Sequence, residues 1–224
     1  MRAFILGNGP SLNKTPVDKL RDEFTVGMNR FNLLDVDWSP DWWVIADIGP
    51  NELWDWDDVF SRDSRFIFNE RHRDIILPYG DGVTFVESCI HRTYRGDVDP
   101  WEWHLPKICT RGGGVSIAIQ TAVLQGCNPI YLLGCDLYKY RGPDDADINH
   151  FHPGYCPYKT RKSTGEEMIG PDDWERLNKR LIKMHTMARD SAAAMGVSIY
   201  NATVGGILEV YERVDIHEVL NGKT

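Results

Sequence analysis

Apolar and polar positions alternate along this chain in blocks. Ala3 to Leu6 is a short, wholly apolar run, which predicts a strand buried on both faces, and it breaks at once into Gly7-Asn8-Gly9-Pro10-Ser11. Val17, Leu20 and Phe24 recur at helical spacing among charged residues, so Val17 to Phe24 predicts a short amphipathic helix leading into a second strand, Thr25 to Met28. Further strands are predicted at Trp42 to Ala46, Ser64 to Asn69 and Gly82 to Val86, and the Trp- and Asp-rich stretch from Asp97 to His104 predicts a loop or lid. Val115 to Gln125 carries apolar residues at helical spacing and Gly126 stands where it should stop. Pro129 to Gly134 then predicts another buried strand. A long helix is predicted from Pro171 to about Met195, with Leu177, Leu181, Met184, Met187 and Ala188 as its apolar stripe; Gly196 ends it. A last strand at Val197 to Tyr200 and an amphipathic segment at Asp215 to Leu220, packed on the sheet edge, complete the pattern. Strands alternating with helices predict an α/β, Rossmann-like domain spanning 1–224, with a mostly parallel sheet and helices on both faces.

In such sheets ligands bind beyond the carboxyl ends of the strands, so the polar residues there carry the chemistry. After the first strand, Gly7 and Gly9 permit a sharp turn close to a bound group, and Asn8 and Ser11 add side-chain donors. A helical turn starting near Ser11 would favour an anion. The spacing fits neither G-x-G-x-x-G nor G-x-x-x-x-G-K-[ST], and a tight turn without ligand is the alternative. Asn29 ends the second strand, as a ligand contact or as a cap of the next turn. Asp47 ends the third, where it meets a ribose hydroxyl, an acceptor hydroxyl or a metal, or caps a helix around Glu52. Gly112, Gly113 and Gly114 are unfavourable inside a helix, so they open the one at Val115 and offer its N-terminus to phosphate, with Arg111 as a charge partner. Asp136 and Tyr138 follow the strand at 129–134.

From Lys139 to Pro171 the chain lacks helical pattern and is too long for a simple connector, which predicts a lid at 139–171. It carries His150 and His152, candidates for a general base near neutral pH, for metal ligation, or for a solvent-exposed pair. Four D-x-D pairs, Asp35/Asp37, Asp55/Asp57, Asp97/Asp99 and Asp145/Asp147, follow no buried strand and read as solvated loop carboxylates.

Composition narrows the picture. A net charge of −8 over 224 residues argues against non-specific binding to a nucleic-acid backbone. No run approaches the roughly 18 apolar residues of a membrane span, and the chain enters a strand without a leader, so it reads as cytoplasmic. Five cysteines without C-x-x-C spacing indicate neither a disulfide framework nor a zinc ribbon; Cys127 and Cys135 read as buried thiols.

Gly7-Asn8-Gly9-Pro10-Ser11-Leu12, Asn29, the glycine loop before an Ala-bearing helix, Ile130-Tyr131-Leu132-Leu133-Gly134-Cys135-Asp136-Leu137-Tyr138 and Asn201-Ala202-Thr203 together resemble two related groups. One is the bacterial CMP-sialic acid-dependent sialyltransferases of glycosyltransferase family 42; the other is the domain-of-unknown-function 115 group, with its flagellin-modification proteins and 6-hydroxymethylpterin diphosphokinases. The first resemblance implies a CMP-linked sugar donor without a required cofactor and a hydroxyl acceptor. It implies a nucleotide held by Gly7, Asn8, Gly9, Ser11, Asn29 and Gly112 to Gly114, Tyr138 on the departing phosphate, and His150 or His152 as base. The chain has glycines where the sialyltransferases carry Thr-Ser, so another donor remains open. The diphosphokinase alternative implies Mg²⁺, for which Asp47 and Asp136 are the better-placed carboxylates. A non-catalytic nucleotide-binding module is the third reading.

Overall fold

The computed structural model describes residues 1–48, 54–80, 82–88, 107–108, 113–139, 147–155 and 171–222. Its strands are β1 (Ala3–Leu6), β2 (Phe24–Met28), β3 (Trp42–Ile45), β4 (Arg65–Asn69), β5 (Thr84–Ser88), β6 (Lys107–Ile108), β7 (Ile130–Leu133), β8 (Ile199–Asn201) and β9 (Glu212–Arg213). They form one sheet in the order β6-β5-β4-β3-β2-β1-β7-β8-β9. Every pairing is parallel, with Ala3 opposite both Phe24 and Ile130. The chain thus lays down five strands to one side of β1 and returns to its other side with β7. That reversal is the switch point at which open α/β sheets bind ligands.

Helices cover both faces: α1 (Trp56–Ser61), α2 (Arg73–Ile76), α3 (Gly114–Leu124), α4 (Pro171–Ala194) and α5 (Ile216–Leu220). Strand side chains alternate between the faces, so each apolar run feeds two cores. Ala3, Ile5, Val26, Ile130 and Leu132 pack with Ile117 and Ala122 of α3 and Met184, Ala188 and Ala192 of α4. Phe4, Leu6, Tyr131 and Leu133 pack on the other face with Leu12, Leu20, Val59, Ile76 and α5. Helix α3 is buried almost all round, as a helix without a polar face must be.

Several expectations shift in detail. The predicted helix at Val17 to Phe24 is a single 3-10 turn, Val17–Leu20, and another 3-10 turn, Pro10–Lys14, follows β1. Helix α1 is capped by Asp55, whose carboxylate accepts from the Asp58 N–H, so Asp47 does not cap it. Rather than lying on the sheet edge, α5 buries Ile216 and Val219 in the second core, and Arg2 donates to the Val219 carbonyl at 2.8 Å. Cys127 and Cys135 are buried free thiols. The segment Asp97 to His104 lies outside the described residues. Among the described residues no helix is long and apolar enough to cross a membrane.

Candidate functional site

A cleft of about 430 Å³ opens at the carboxyl ends of β1, β2, β3, β4 and β7. The first glycine bend and the later one both reach it: Gly7, Asn8 and Gly9 line one part, Gly113 and Gly114 another. Met28, Asn29, Ala46, Asp47, Asn69, Arg71, Asp136 and Tyr138 come from the strand tips, Asn149, His150 and Tyr155 from the 147–155 segment, and Leu177, Arg180, Leu181 and His185 from α4.

The first loop is held from behind. Gly7 N–H donates to the Leu133 carbonyl at 2.7 Å and Gly9 N–H to the Gly134 carbonyl at 2.8 Å. The close approach that these glycines allow is therefore to the tip of β7. Ser11 is buried outside the cleft lining, and its hydroxyl donates to Asp136 Oδ2 at 2.7 Å. Burial pushes the Asp136 carboxyl above its ordinary range, against the lowering effect of the Ser11 hydrogen bond.

Asn29 adopts a left-handed conformation, φ 44°, which Asn tolerates better than most residues. Its Oδ1 accepts from the Ala46 N–H at 3.2 Å and its carbonyl accepts from Trp43 Nε1 at 2.8 Å. The amide nitrogen lies beside Gly114, at the start of α3. That helix has no side-chain cap, and Gly113, Gly114 and Val115 at its start line the cleft. Arg111 and Gly112 lie outside the described residues.

Asp47 lines the cleft paired with Arg71, Nη2 to Oδ1 2.7 Å. Arg180 lines it with no ion-pair partner among the described residues. Sequence reasoning missed both cations. It also missed His185, which lies in the apolar stripe of α4, i+4 from Leu181. Tyr211 donates its hydroxyl to the His185 carbonyl at 3.1 Å, so the 3.0 Å contact with Nδ1 is a hydrogen bond from the ring. Burial lowers the His185 pKa to about 4.

Of the stretch expected to form a lid, 140–146 and 156–170 lie outside the described residues; within 147–155 the two histidines separate. His152 turns into its own loop, its Nδ1 accepting from the Gly154 N–H at 3.0 Å, and does not line the cleft. His150 lines it. Its Nδ1 lies 2.7 Å from Asp147 Oδ2, its ring stacks on Tyr155 at 4.0 Å and 8°, and it meets Tyr138 edge-on at 6.3 Å. Asp147 is no solvated loop carboxylate: its side chain is 2% exposed, against 17% for His150. The segment is fastened to its surroundings, because Phe151 N–H donates to the Asn8 carbonyl at 3.0 Å and Asn13 Nδ2 to the Phe151 carbonyl at 2.8 Å.

Tyr138 leaves β7 after Leu137, a non-glycine residue at φ 62°. The amide of Asn178 on α4 holds the Tyr138 backbone from both sides, accepting from its N–H at 3.1 Å and donating to its carbonyl at 2.7 Å. Asn149 does the same for Lys139 at 2.7 and 2.9 Å. Asn201, Ala202 and Thr203 are buried and brace the tips of β7 and β8: Thr203 Oγ1 accepts from the Cys135 N–H at 3.0 Å. No group of three or more His, Cys, Asp or Glu among the described residues has the arrangement of a metal site.

The chain is similar in fold to the sialyltransferase CstII. One solved structure, in complex with a trisaccharide acceptor and CMP, aligns with a TM-score of 0.52 at 13% identity over 96% of this chain and 86% of that one. A second, of CstII from Campylobacter jejuni with the substrate analogue CMP-3FNeuAc, aligns with a TM-score of 0.50 at 14% identity over 95% and 85%. No family model matches the chain, and no curated protein matches it.

Proposed function

We propose that this chain is a nucleotide-sugar glycosyltransferase that moves a sugar from a CMP-linked donor to a hydroxyl acceptor. The observation that carries this reading is the meeting, in one cleft, of an uncapped helix N-terminus, the first-loop Asn8, the Asn29 amide and a carboxylate-paired histidine. The fold shared with CstII, solved with CMP and with a trisaccharide, supports it.

In this reading the donor phosphate lies against the first turn of α3, where Gly114 and Val115 offer N–H groups, with Asn8 and Asn29 as flanking donors. Arg180 adds a cation on the α4 side. Gly7 and Gly9 shape the loop, and Ser11 supports it through Asp136. His150, rather than His152, takes the acceptor proton, and Tyr138 assists the departing phosphate. As the acceptor oxygen bonds to the anomeric carbon, the bond from that carbon to the phosphate oxygen breaks and its electron pair leaves on CMP. The pyrophosphoryl alternative asks Asp47 and Asp136 to share a magnesium ion, but Arg71 pairs with the first and Ser11 donates to the second. A thermal-shift screen of CMP, CDP, UDP, GDP and ATP, with and without Mg²⁺, tests the reading. CMP and CDP should raise the melting temperature without metal; a shift with ATP and Mg²⁺ alone would overturn it.

A further inference from the structure

We propose that Asp147 is the positioning residue of the cleft histidine: it fixes His150 as the Nδ1–H tautomer and leaves Nε2 as the proton acceptor facing substrate. The inference rests on His150 being the base, yet it concerns a property of the protein that is measurable without substrate.

A carboxylate has acceptors only, so the proton in the 2.7 Å contact sits on Nδ1 of His150. The second oxygen of Asp147 is also engaged: Oδ1 accepts from the Asn149 N–H at 3.0 Å. The fold therefore demands an acceptor in two directions from one side chain. Nε2 makes no hydrogen bond within the described residues, and the ring borders the cleft. Its plane is set by the Tyr155 stack and its edge by Tyr138, while the preceding residue, Asn149, is tied to Lys139 through both ends of its amide. When Nε2 takes the acceptor proton, the buried carboxylate stabilises the imidazolium and keeps its own oxygens unprotonated.

This geometry makes Asn the informative substitution. The amide of Asp147→Asn has one oxygen for two donors. Facing Asn149 N–H with it turns the NH₂ toward His150 Nδ1, which moves the ring proton to Nε2 and removes the acceptor from the cleft. Asp147→Glu retains two acceptors and should restore part of what Asn loses.

The test is a two-bond ¹H–¹⁵N spectrum of the full chain with ¹⁵N-labelled histidine, the His150 signals being identified by their loss in His150→Gln. In the wild type His150 should show a protonated Nδ1 and a bare Nε2; in Asp147→Asn the Nε2–H form should appear. A wild-type His150 in the Nε2–H form overturns the proposal whether or not any variant folds, and so does an unchanged tautomer in Asp147→Asn. With a CMP-linked sialic acid as donor, Asp147→Asn should lower kcat about 100-fold or more with KM changed less than about threefold, and Asp147→Glu should recover part of kcat. Loss confined to KM would overturn the role. Wild-type chain that turns over no donor while keeping the Nδ1–H tautomer sinks the transferase reading and leaves the positioning claim standing.

Discussion

A β-carbon on Gly7 would lie 2.3 Å from the carbonyl oxygen of Gly134. The contact is backbone against backbone, at the point where the chain leaves β1 and crosses the tip of β7, so no side-chain rotation relieves it. Gly113 presents the opposite case: φ is +69°, but a β-carbon there meets nothing within 4 Å. Gly7→Ala should therefore cost upwards of about 3 kcal/mol through overpacking, and Gly113→Ala about 1–3 kcal/mol through backbone strain alone, because φ 69° with ψ −157° is a region that glycine alone enters freely. Urea denaturation of both variants measures the difference. Equal losses would mean that the first loop is free to move off β7.

Ser11 and Asp136 are 125 residues apart and share a partly buried hydrogen bond. Ser11→Ala leaves Asp136 Oδ2 without that donor, which should destabilise the fold by about 1–3 kcal/mol. The hydrogen bond lowers the Asp136 pKa, so its removal raises the folded-state value further. A carboxyl whose folded pKa is raised loses stability as pH rises through that value, and the variant loses more. The gap between wild type and Ser11→Ala should accordingly be larger at pH 7.5 than at pH 4.5. A gap independent of pH would assign Ser11 no electrostatic role.

Much of this arrangement is legible in the chain. The residues of β1 are unmistakable because Ala3 and Ile5 serve one core and Phe4 and Leu6 the other, leaving no polar position in the run. The glycines before Val115 mark the start of α3 because a helix interior excludes them. By contrast, β6 and β9 are two-residue strands, Lys107–Ile108 and Glu212–Arg213, formed by pairing at the sheet margins with no apolar pattern of their own. That His150 lines the cleft and His152 does not was not legible either, since it depends on which ring meets a buried carboxylate. Arg180 and His185 did leave a signal: they fall at i+3 from Leu177 and i+4 from Leu181. Polar residues set in the apolar stripe of an amphipathic helix mark the part of that stripe that faces a cavity instead of the core.

Asn178 supplies a second test of how α4 shapes the cleft. Its amide closes two hydrogen bonds on the Tyr138 backbone, next to Leu137 in a left-handed conformation that costs a non-glycine residue about 1–2 kcal/mol. Asn178→Ala loses both bonds and should lower stability by about 1–3 kcal/mol. Asn178→Asp keeps an acceptor for the Tyr138 N–H but sets a carboxylate oxygen against the Tyr138 carbonyl, so it should cost more than Ala. Calorimetric melting of the pair decides this. An Asp variant as stable as wild type would show that Asn178 does not hold Tyr138 through its NH₂ group.

His185 gives the fold a defined acid sensitivity. Its ring is buried between α4 and Tyr211, and burial lowers its pKa to about 4 from an ordinary value of 6.5. Between these two values the unfolded chain binds a proton that the folded chain refuses, so stability is complete above pH 6.5 and falls as pH drops toward 4. The loss over that window is on the order of 3 kcal/mol. Asp136, with its raised folded-state pKa, acts in the other direction, but it is present in both proteins when wild type is compared with His185→Gln. The Gln side chain does not titrate, so the variant, less stable than wild type at pH 7, should lose that disadvantage progressively down to pH 4. Urea denaturation at pH 7, 5.5 and 4.2 measures the convergence. Parallel stability curves for the two proteins would mean that the folded chain accommodates a charged His185, and that this wall of the cleft is wetter than its packing against Tyr211 implies.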